Sequence, residues 1–134
     1  MRGPAIAGRL AYVDTSALVK LPLEEDGHEA LRRELDGWDG FVSSALLSVE
    51  AIRACARYGP AFAHAAEEAL DAVALVPLDD AVLERAAALD LPTLDALHLA
   101  TALSVADEIG VLLTYDERLA TAARAAGIDV RSPA

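Results

Sequence analysis

LAYVDTSALVK, residues 10–20, moves within eleven positions from an apolar run through a polar turn into helix-forming residues. Leu10–Val13 is apolar throughout, the mark of a strand buried on both faces. Asp14-Thr15-Ser16 is a turn and helix-start cluster, and Ala17 and Leu18 favour helix. The order recurs in VLLTYDERLATAA, residues 111–123, where Val111–Thr114 reads as a strand, Asp116 as a helix start and Glu117–Ala126 as a helix stopped by Gly127. Working outward, the helix after Ser16 is interrupted by Pro22, and Glu24–Leu35 reads as a polar helix with Leu31 and Leu35 on one face. Gly37 and Gly40 lead into a strand at Phe41–Ser43. Ser43 or Ser44 caps a helix to about Tyr58, which Gly59-Pro60 ends, and a further helix covers Ala61–Ala72. Val73–Val76 is a third strand, followed by Pro77. Asp79 caps a helix to about Leu89, Pro92-Thr93 opens another over Leu94–Ala106, and Ile128–Val130 is a last short strand. Strands alternating with helices predict an α/β fold, a parallel sheet with helices on both faces.

The chain has 134 residues, a length that suits a single domain with its core over about residues 10–130. Hydrophobic residues make up 54% and aromatics 4%, an alanine-rich, helix-favouring composition that argues against disorder. No apolar stretch approaches the ~20 residues that span a bilayer. The opening MRGPAIAGRLAYVD is broken by Gly3, Pro4, Gly8 and Arg9 and makes a poor signal peptide. The single cysteine, Cys55, precludes an internal disulfide and reads as a small core residue, so a cytoplasmic location is expected. The net charge of −11 argues against a broad basic surface for nucleic acid. It leaves room for an enzyme that touches RNA locally, and it suits a basic partner segment.

Four acids stand out: Asp14, Glu50, Asp95 and Asp116. Asp14 and Asp116 follow strands, and in parallel sheets ligands bind beyond the carboxyl ends of strands. If the first and fourth strands are neighbours, both acids face one crevice. Taken singly, Asp14 and Asp116 could be helix caps, and Asp95 a favourable charge in a first helical turn. Glu50 lies too deep in its helix to cap it. Its plain alternative is a surface pair with Arg53, yet Leu46, Leu47, Val49, Ala51 and Ile52 leave little of that turn polar. Four converging carboxylates would call for a divalent cation, and Mg²⁺ or Mn²⁺ suits oxygen ligands. Such ions activate water and stabilise charge in phosphodiester hydrolysis.

The segments YVDTSALVKL, SSALLSVEAIRA, TLDALHLATAL and LLTYDERLATAA, in this order, resemble the PIN-domain ribonucleases, in particular the VapC-type toxins of bacterial toxin–antitoxin pairs. The likeness runs from Leu10 to about Val130 and is most specific around Asp95, Ala96, His98, Ala100 and Ala102. It implies a three-layer α/β/α fold with a five-stranded parallel sheet in order 3-2-1-4-5. It implies a Mg²⁺-dependent endoribonuclease, with Mn²⁺ able to substitute, acting on RNA and inhibited by a cognate VapB-type antitoxin in its groove. A homodimer is also implied. On this likeness Asp14, Glu50, Asp95 and Asp116 are the catalytic and metal-binding acids, with Asp14 and Asp95 the firmest ligands and Glu50 and Asp116 acting directly, through water or at a second ion. Ser16 and Thr114 match hydroxyl residues that orient carboxylates or water. The Arg2-Gly3-Pro4 extension and a short stretch between Leu89 and Asp95 depart from the pattern without removing a functional position.

Lys20, Arg53, Arg57 and Arg118 lie near the acidic segments and are candidate RNA contacts, with surface charge or internal pairing as the alternative. His98, one turn after Asp95, reads as a buried helix histidine more readily than as a ligand, because oxygen ligands suit Mg²⁺. Two other readings of the chain remain: a non-catalytic PIN-like module that holds a basic partner in an acidic groove, and a phosphotransfer domain of related topology. The second lacks paired acids at one strand end and a well-placed late lysine.

Overall fold

Five strands form one parallel sheet: β1 (Leu10–Val13), β2 (Gly40–Ser44), β3 (Val73–Val76), β4 (Ile109–Leu113) and β5 (Val130–Arg131). The computed structural model describes residues 9–134. The segment 1–8, with the Arg2-Gly3-Pro4 extension and most of the residues that argue against a signal peptide, lies outside the described residues. The strand order is β3-β2-β1-β4-β5, as the family resemblance implied. The chain leaves β1 toward one side of the sheet and returns at β4 on the other, so the β1/β4 boundary is the point where strand order reverses.

Helices cover both faces. Short helices α1 (Thr15–Leu18) and α2 (Lys20–Leu23) follow β1, then α3 (His28–Leu35), α4 (Leu46–Ala56), α5 (Pro60–Leu70), α6 (Asp80–Ala87), α7 (Thr93–Ser104) and α8 (Glu117–Ala125). Ala11, Val13, Val111 and Leu113 pack with Leu18, Leu31, Leu47 and Ala51 on one side. Tyr12, Val42 and Leu112 pack with Leu99, Ala102, Leu119 and Ala123 on the other. The period-two alternation of a strand therefore divides an all-apolar sequence between two cores. No helix among the described residues is long and apolar enough to cross a membrane.

Local chemistry accounts for the departures from the expected boundaries. The polar helix begins at His28 rather than Glu24, because Glu24 adopts left-handed backbone (φ 48°) and Gly27 precedes the helix with φ 89°. The interruption tied to Pro22 falls at Val19, next to the residue whose helical bond proline cannot make: with no N–H, Pro22 cannot donate to the Leu18 carbonyl. Ser43 and Ser44 are still strand, and α4 starts at Leu46, whose N–H is accepted by Ser44 Oγ at 3.1 Å. The fifth strand starts two residues late because Ile128 N donates to Ala123 O (3.0 Å) and Gly127 N to Arg124 O (3.0 Å). These bonds close α8 in a Schellman motif around Gly127 (φ 90°), so Ile128 is occupied as a cap. The fourth strand starts earlier than expected, at Ile109, with a register shift: Leu10 pairs with Ile109 but Ala11 with Val111, leaving Gly110 as the extra residue of a bulge.

Asp79 caps α6 as expected, its Oδ1 accepting from Val82 N at 2.9 Å. Asp79→Ala should cost about 1 kcal/mol. Urea denaturation should show a lower midpoint and an unchanged slope.

Candidate active site

Asp14 sits at the carboxyl end of β1, 4% exposed, and its position is fixed from three directions. Its Oδ1 accepts from Ala17 N at 3.0 Å, capping α1, and from Ser16 Oγ at 2.8 Å. Its Oδ2 accepts from Thr114 Oγ1 at 2.6 Å. The pairing of Val13 with Leu113 brings Thr114 level with Asp14 across the β1/β4 boundary. Asp14 is thus both the cap that its sequence suggests and a buried carboxylate inside a polar cluster. Burial raises its pKa above the ordinary carboxylate value. The bonds from Thr114, Ser16 and Ala17 and the proximity of His98 offset this only in part.

Thr114 serves two acids. Its hydroxyl donates to Asp14 and accepts from Asp116 N at 3.0 Å. Asp116 in turn caps α8, its Oδ1 accepting from Arg118 N (2.9 Å) and Leu119 N (3.2 Å). Ser16 Oγ also accepts from Tyr115 N at 2.8 Å, tying the turn after β1 to the turn after β4. Asp95, in the first turn of α7, faces these groups. Desolvation raises its pKa, the neighbouring Asp116 carboxyl raises it further, and Arg118, 4.0 Å away and largely exposed, offsets part of the effect.

Glu50 arrives from the middle of α4. Its Oε1 accepts from Thr15 Oγ1 at 2.7 Å and lies 2.9 Å from His98 Nε2. Partial desolvation pushes its pKa up, but the bonds from His98 and Thr15 outweigh that and the net shift is downward. The surface pair with Arg53 does not form: Glu50 turns to the crevice and Arg53 to solvent. His98 is buried, and its other nitrogen, Nδ1, lies 2.7 Å from the Tyr12 hydroxyl.

All four acids therefore border one polar region at the carboxyl ends of β1 and β4. Thr114 links Asp14 with Asp116, Asp116 acts on Asp95, and His98 contacts Glu50 while acting electrostatically on Asp14 and Asp95. Sequence reasoning missed Thr15 and Tyr12 and gave His98 no partner. The signals were present: a tyrosine within a buried strand needs a partner for its hydroxyl, and His98 shares a helix face with Asp95 at i+3. Ser43 Oγ is buried beside the Tyr12 hydroxyl, where it partly offsets the rise in the phenol's pKa that burial causes.

The donor set consists of carboxylate and hydroxyl oxygens, which suits Mg²⁺ or Mn²⁺ rather than zinc. Among the described residues no three His, Cys, Asp or Glu side chains form a ready-made cage. That is compatible with Mg²⁺, which keeps several waters and needs only one or two carboxylates. The raised pKa values of Asp14 and Asp95 mark negative charge that a cation would compensate. The residues present therefore fit such an ion.

The candidate RNA contacts differ in availability. Arg53 and Arg57 lie exposed on α4, one and two turns beyond Glu50. Arg118 is exposed beside Asp95. Lys20 is committed elsewhere: Nζ sits 4.2 Å from the centre of the Tyr115 ring and donates to Asp26 O at 2.9 Å. A cavity of about 540 Å³ among Val13, Leu18, Leu31, Leu35 and Phe41 includes none of the four acids.

A sequence model of the PIN domain matches residues 11–125. The chain is 42% identical over 125 residues to ribonuclease VapC46 of Mycobacterium tuberculosis, covering 91% of this chain and 96% of the relative. It is 36% identical over 132 residues to ribonuclease VapC47 of the same species, covering 92% and 97%. Among solved structures, M. tuberculosis VapC20, described as a sarcin–ricin loop cleaving toxin, superposes with a TM-score of 0.71 at 19% identity over 84% of this chain and 94% of that one. A toxin–antitoxin complex from Klebsiella pneumoniae gives 0.68 at 22% identity over 92% and 98%. The chain belongs to the PIN-domain family, and within it to the VapC proteins.

Thr114→Val would leave Asp14 Oδ2 without its donor in a buried setting. The expected outcome is a stability loss of about 1–3 kcal/mol by denaturant titration. The Asp14 carboxyl pKa, followed by carbon NMR, should move further up.

Proposed function

We propose that the protein is a Mg²⁺-dependent endoribonuclease, the toxin of a toxin–antitoxin pair. The observation that carries this reading is the gathering of Asp14, Glu50, Asp95 and Asp116 at one strand-order reversal, in a chain 42% identical to a named ribonuclease. Asp14, Asp95, Glu50 and Asp116 would hold the ion, which supplies an activated water and charge stabilisation at the phosphodiester. The chain's own residues do the rest. Thr114 and Ser16 hold the Asp14 carboxylate against rotation, Thr15 and His98 hold Glu50, and the α8 cap holds Asp116. Arg53, Arg57 and Arg118 meet RNA phosphates at the rim, and Mn²⁺ substitutes for Mg²⁺. Solved relatives captured as toxin–antitoxin complexes support a VapB-type antitoxin as the inhibitory partner. The protein works in the cytoplasm as a homodimer.

Asp14→Asn and Asp95→Asn should each abolish Mg²⁺-dependent cleavage of total bacterial RNA while circular dichroism remains native. Cleavage by either variant at the wild-type rate would refute the site assignment.

Proton and cation binding should compete. Asp14 and Asp95 have raised folded pKa values, so the stability they contribute is fully present below the ordinary carboxylate range and is lost as pH rises through the raised values. Glu50, with a lowered pKa, has the opposite sign: its contribution is present above the ordinary value and lost as pH falls through the lowered one. The cation restores what the two raised acids lose once ionised. The rise in Tm on adding Mn²⁺ should therefore be larger near roughly pH 8 than near roughly pH 5. An equal rise at both would count against carboxylate ligation.

A further inference from the structure

Of the four acids, Glu50 stands deepest within its helix, beyond the reach of any cap. Asp14 and Asp116 are locked as helix caps, and Asp95 stands in a first helical turn. Glu50 projects from the interior of α4, and a glutamate there has three free torsions. Two side chains hold it instead, and both act on the same atom. Thr15 Oγ1 donates to Oε1 at 2.7 Å, and His98 Nε2 lies 2.9 Å from Oε1. Among the described residues nothing bonds Oε2.

The orientation of His98 follows from its neighbours. An ionised carboxylate only accepts, so Nε2 must carry the hydrogen. The other nitrogen, Nδ1, lies 2.7 Å from the Tyr12 hydroxyl. The phenol is buried in β1 with its ring edge-on to the imidazole, at an interplanar angle of 89°. The hydrogen-bonded chain joins the Tyr12 hydroxyl to Nδ1 and runs from Nε2–H to Glu50 Oε1. Its members come from β1, α7 and α4, so three elements must pack correctly for it to close.

We infer that His98 is a positioning residue for the nuclease site: steadied at its other nitrogen by Tyr12, it joins Thr15 in pinning Oε1 of Glu50, which leaves Oε2 as that residue's one oxygen for the cation or its water. This rests on the metal-site reading above. A histidine that merely fills the core would also be buried, but it would not need a donor aimed at one oxygen of an acid and a second residue steadying the ring.

Mn²⁺ binding to the protein alone, followed by electron paramagnetic resonance, tests the inference together with nitrogen NMR of the His98 ring. The wild type should show hydrogen on Nε2. His98→Leu should weaken Mn²⁺ binding about tenfold or more, the scale of lost outer-shell support. His98→Gln, which keeps a side-chain N–H in reach of Glu50, should recover most of that loss even though both variants change core packing. Tyr12→Phe keeps the ring but removes the hydroxyl that steadies Nδ1, and should give a smaller loss of Mn²⁺ affinity, which keeps the test decisive if His98→Leu does not fold. Wild-type affinity in a folded His98→Leu or in Tyr12→Phe, equal losses in the Leu and Gln variants, or an Nε2 without hydrogen in the wild type would each overturn the inference alone. A wild-type protein that binds no Mn²⁺ would remove the metal-site reading and the inference with it.

Discussion

The bond from Thr114 Oγ1 to Asp14 Oδ2 holds together the ends of the two strands on which the site is built. It is short, fully buried and charge-assisted, the class of hydrogen bond with the largest net contribution. It also has a cost, because Asp14 carries charge into a region with little water. The surrounding polar atoms are arranged around that cost: Ser16 and Ala17 take the other oxygen, and Ser16 reaches across to Tyr115 N. The turns after β1 and β4 thus become one hydrogen-bonded unit, and the starts of α1 and α8 are fixed relative to each other. The caps and the site are the same atoms used twice.

Much of this was legible in the chain. The all-apolar runs at residues 10–13 and 111–113 forecast buried parallel strands, and Asp79 forecast its cap, because each signal is local, whereas the equally apolar run at 73–76 forms a partly exposed edge strand. The boundaries that slipped did so where a residue answered to two demands. Ile128 looks like strand but closes α8, and Glu24 looks like helix but takes the left-handed turn that admits α3. The strand order came from family likeness, since periodicity does not encode which strands are neighbours. The acids were visible as types at suggestive places. Their partners were not, because Tyr12, Glu50 and His98 are separated by 86 residues between the first and last of them and meet only through packing. The cations near the acidic segments show the same divide: nothing in the sequence distinguished Lys20, folded onto Tyr115, from Arg53 and Arg57, which stay in water.

A chain of net charge −11 that acts on a polyanion must confine attraction to a small area. Arg53, Arg57 and Arg118 occupy the rim while the acids sit behind it, so the surface outside the rim repels RNA at long range. A basic protein segment would experience the reverse, with attraction over the whole approach. A polyanion and a basic segment are therefore sorted by charge before either reaches the crevice.

The bulge at Gly110 bears on how this strand can change length. Ile109 and Leu112 point into the same core although a regular strand would set residues three apart on opposite faces. The extra residue corrects the phase of β4, so that its first half fills the α7–α8 core while Thr114 still arrives level with Asp14. Loss of one residue between Ile109 and Val111 would force a choice. Either Ile109 turns out of its core, or the last hydroxyl of the strand slides past the carboxylate it serves. Single-residue insertions and deletions are thus excluded from this strand by its register, while the turn at residues 36–39, whose residues lie outside both cores except for the Trp38 ring, is where the chain can vary in length.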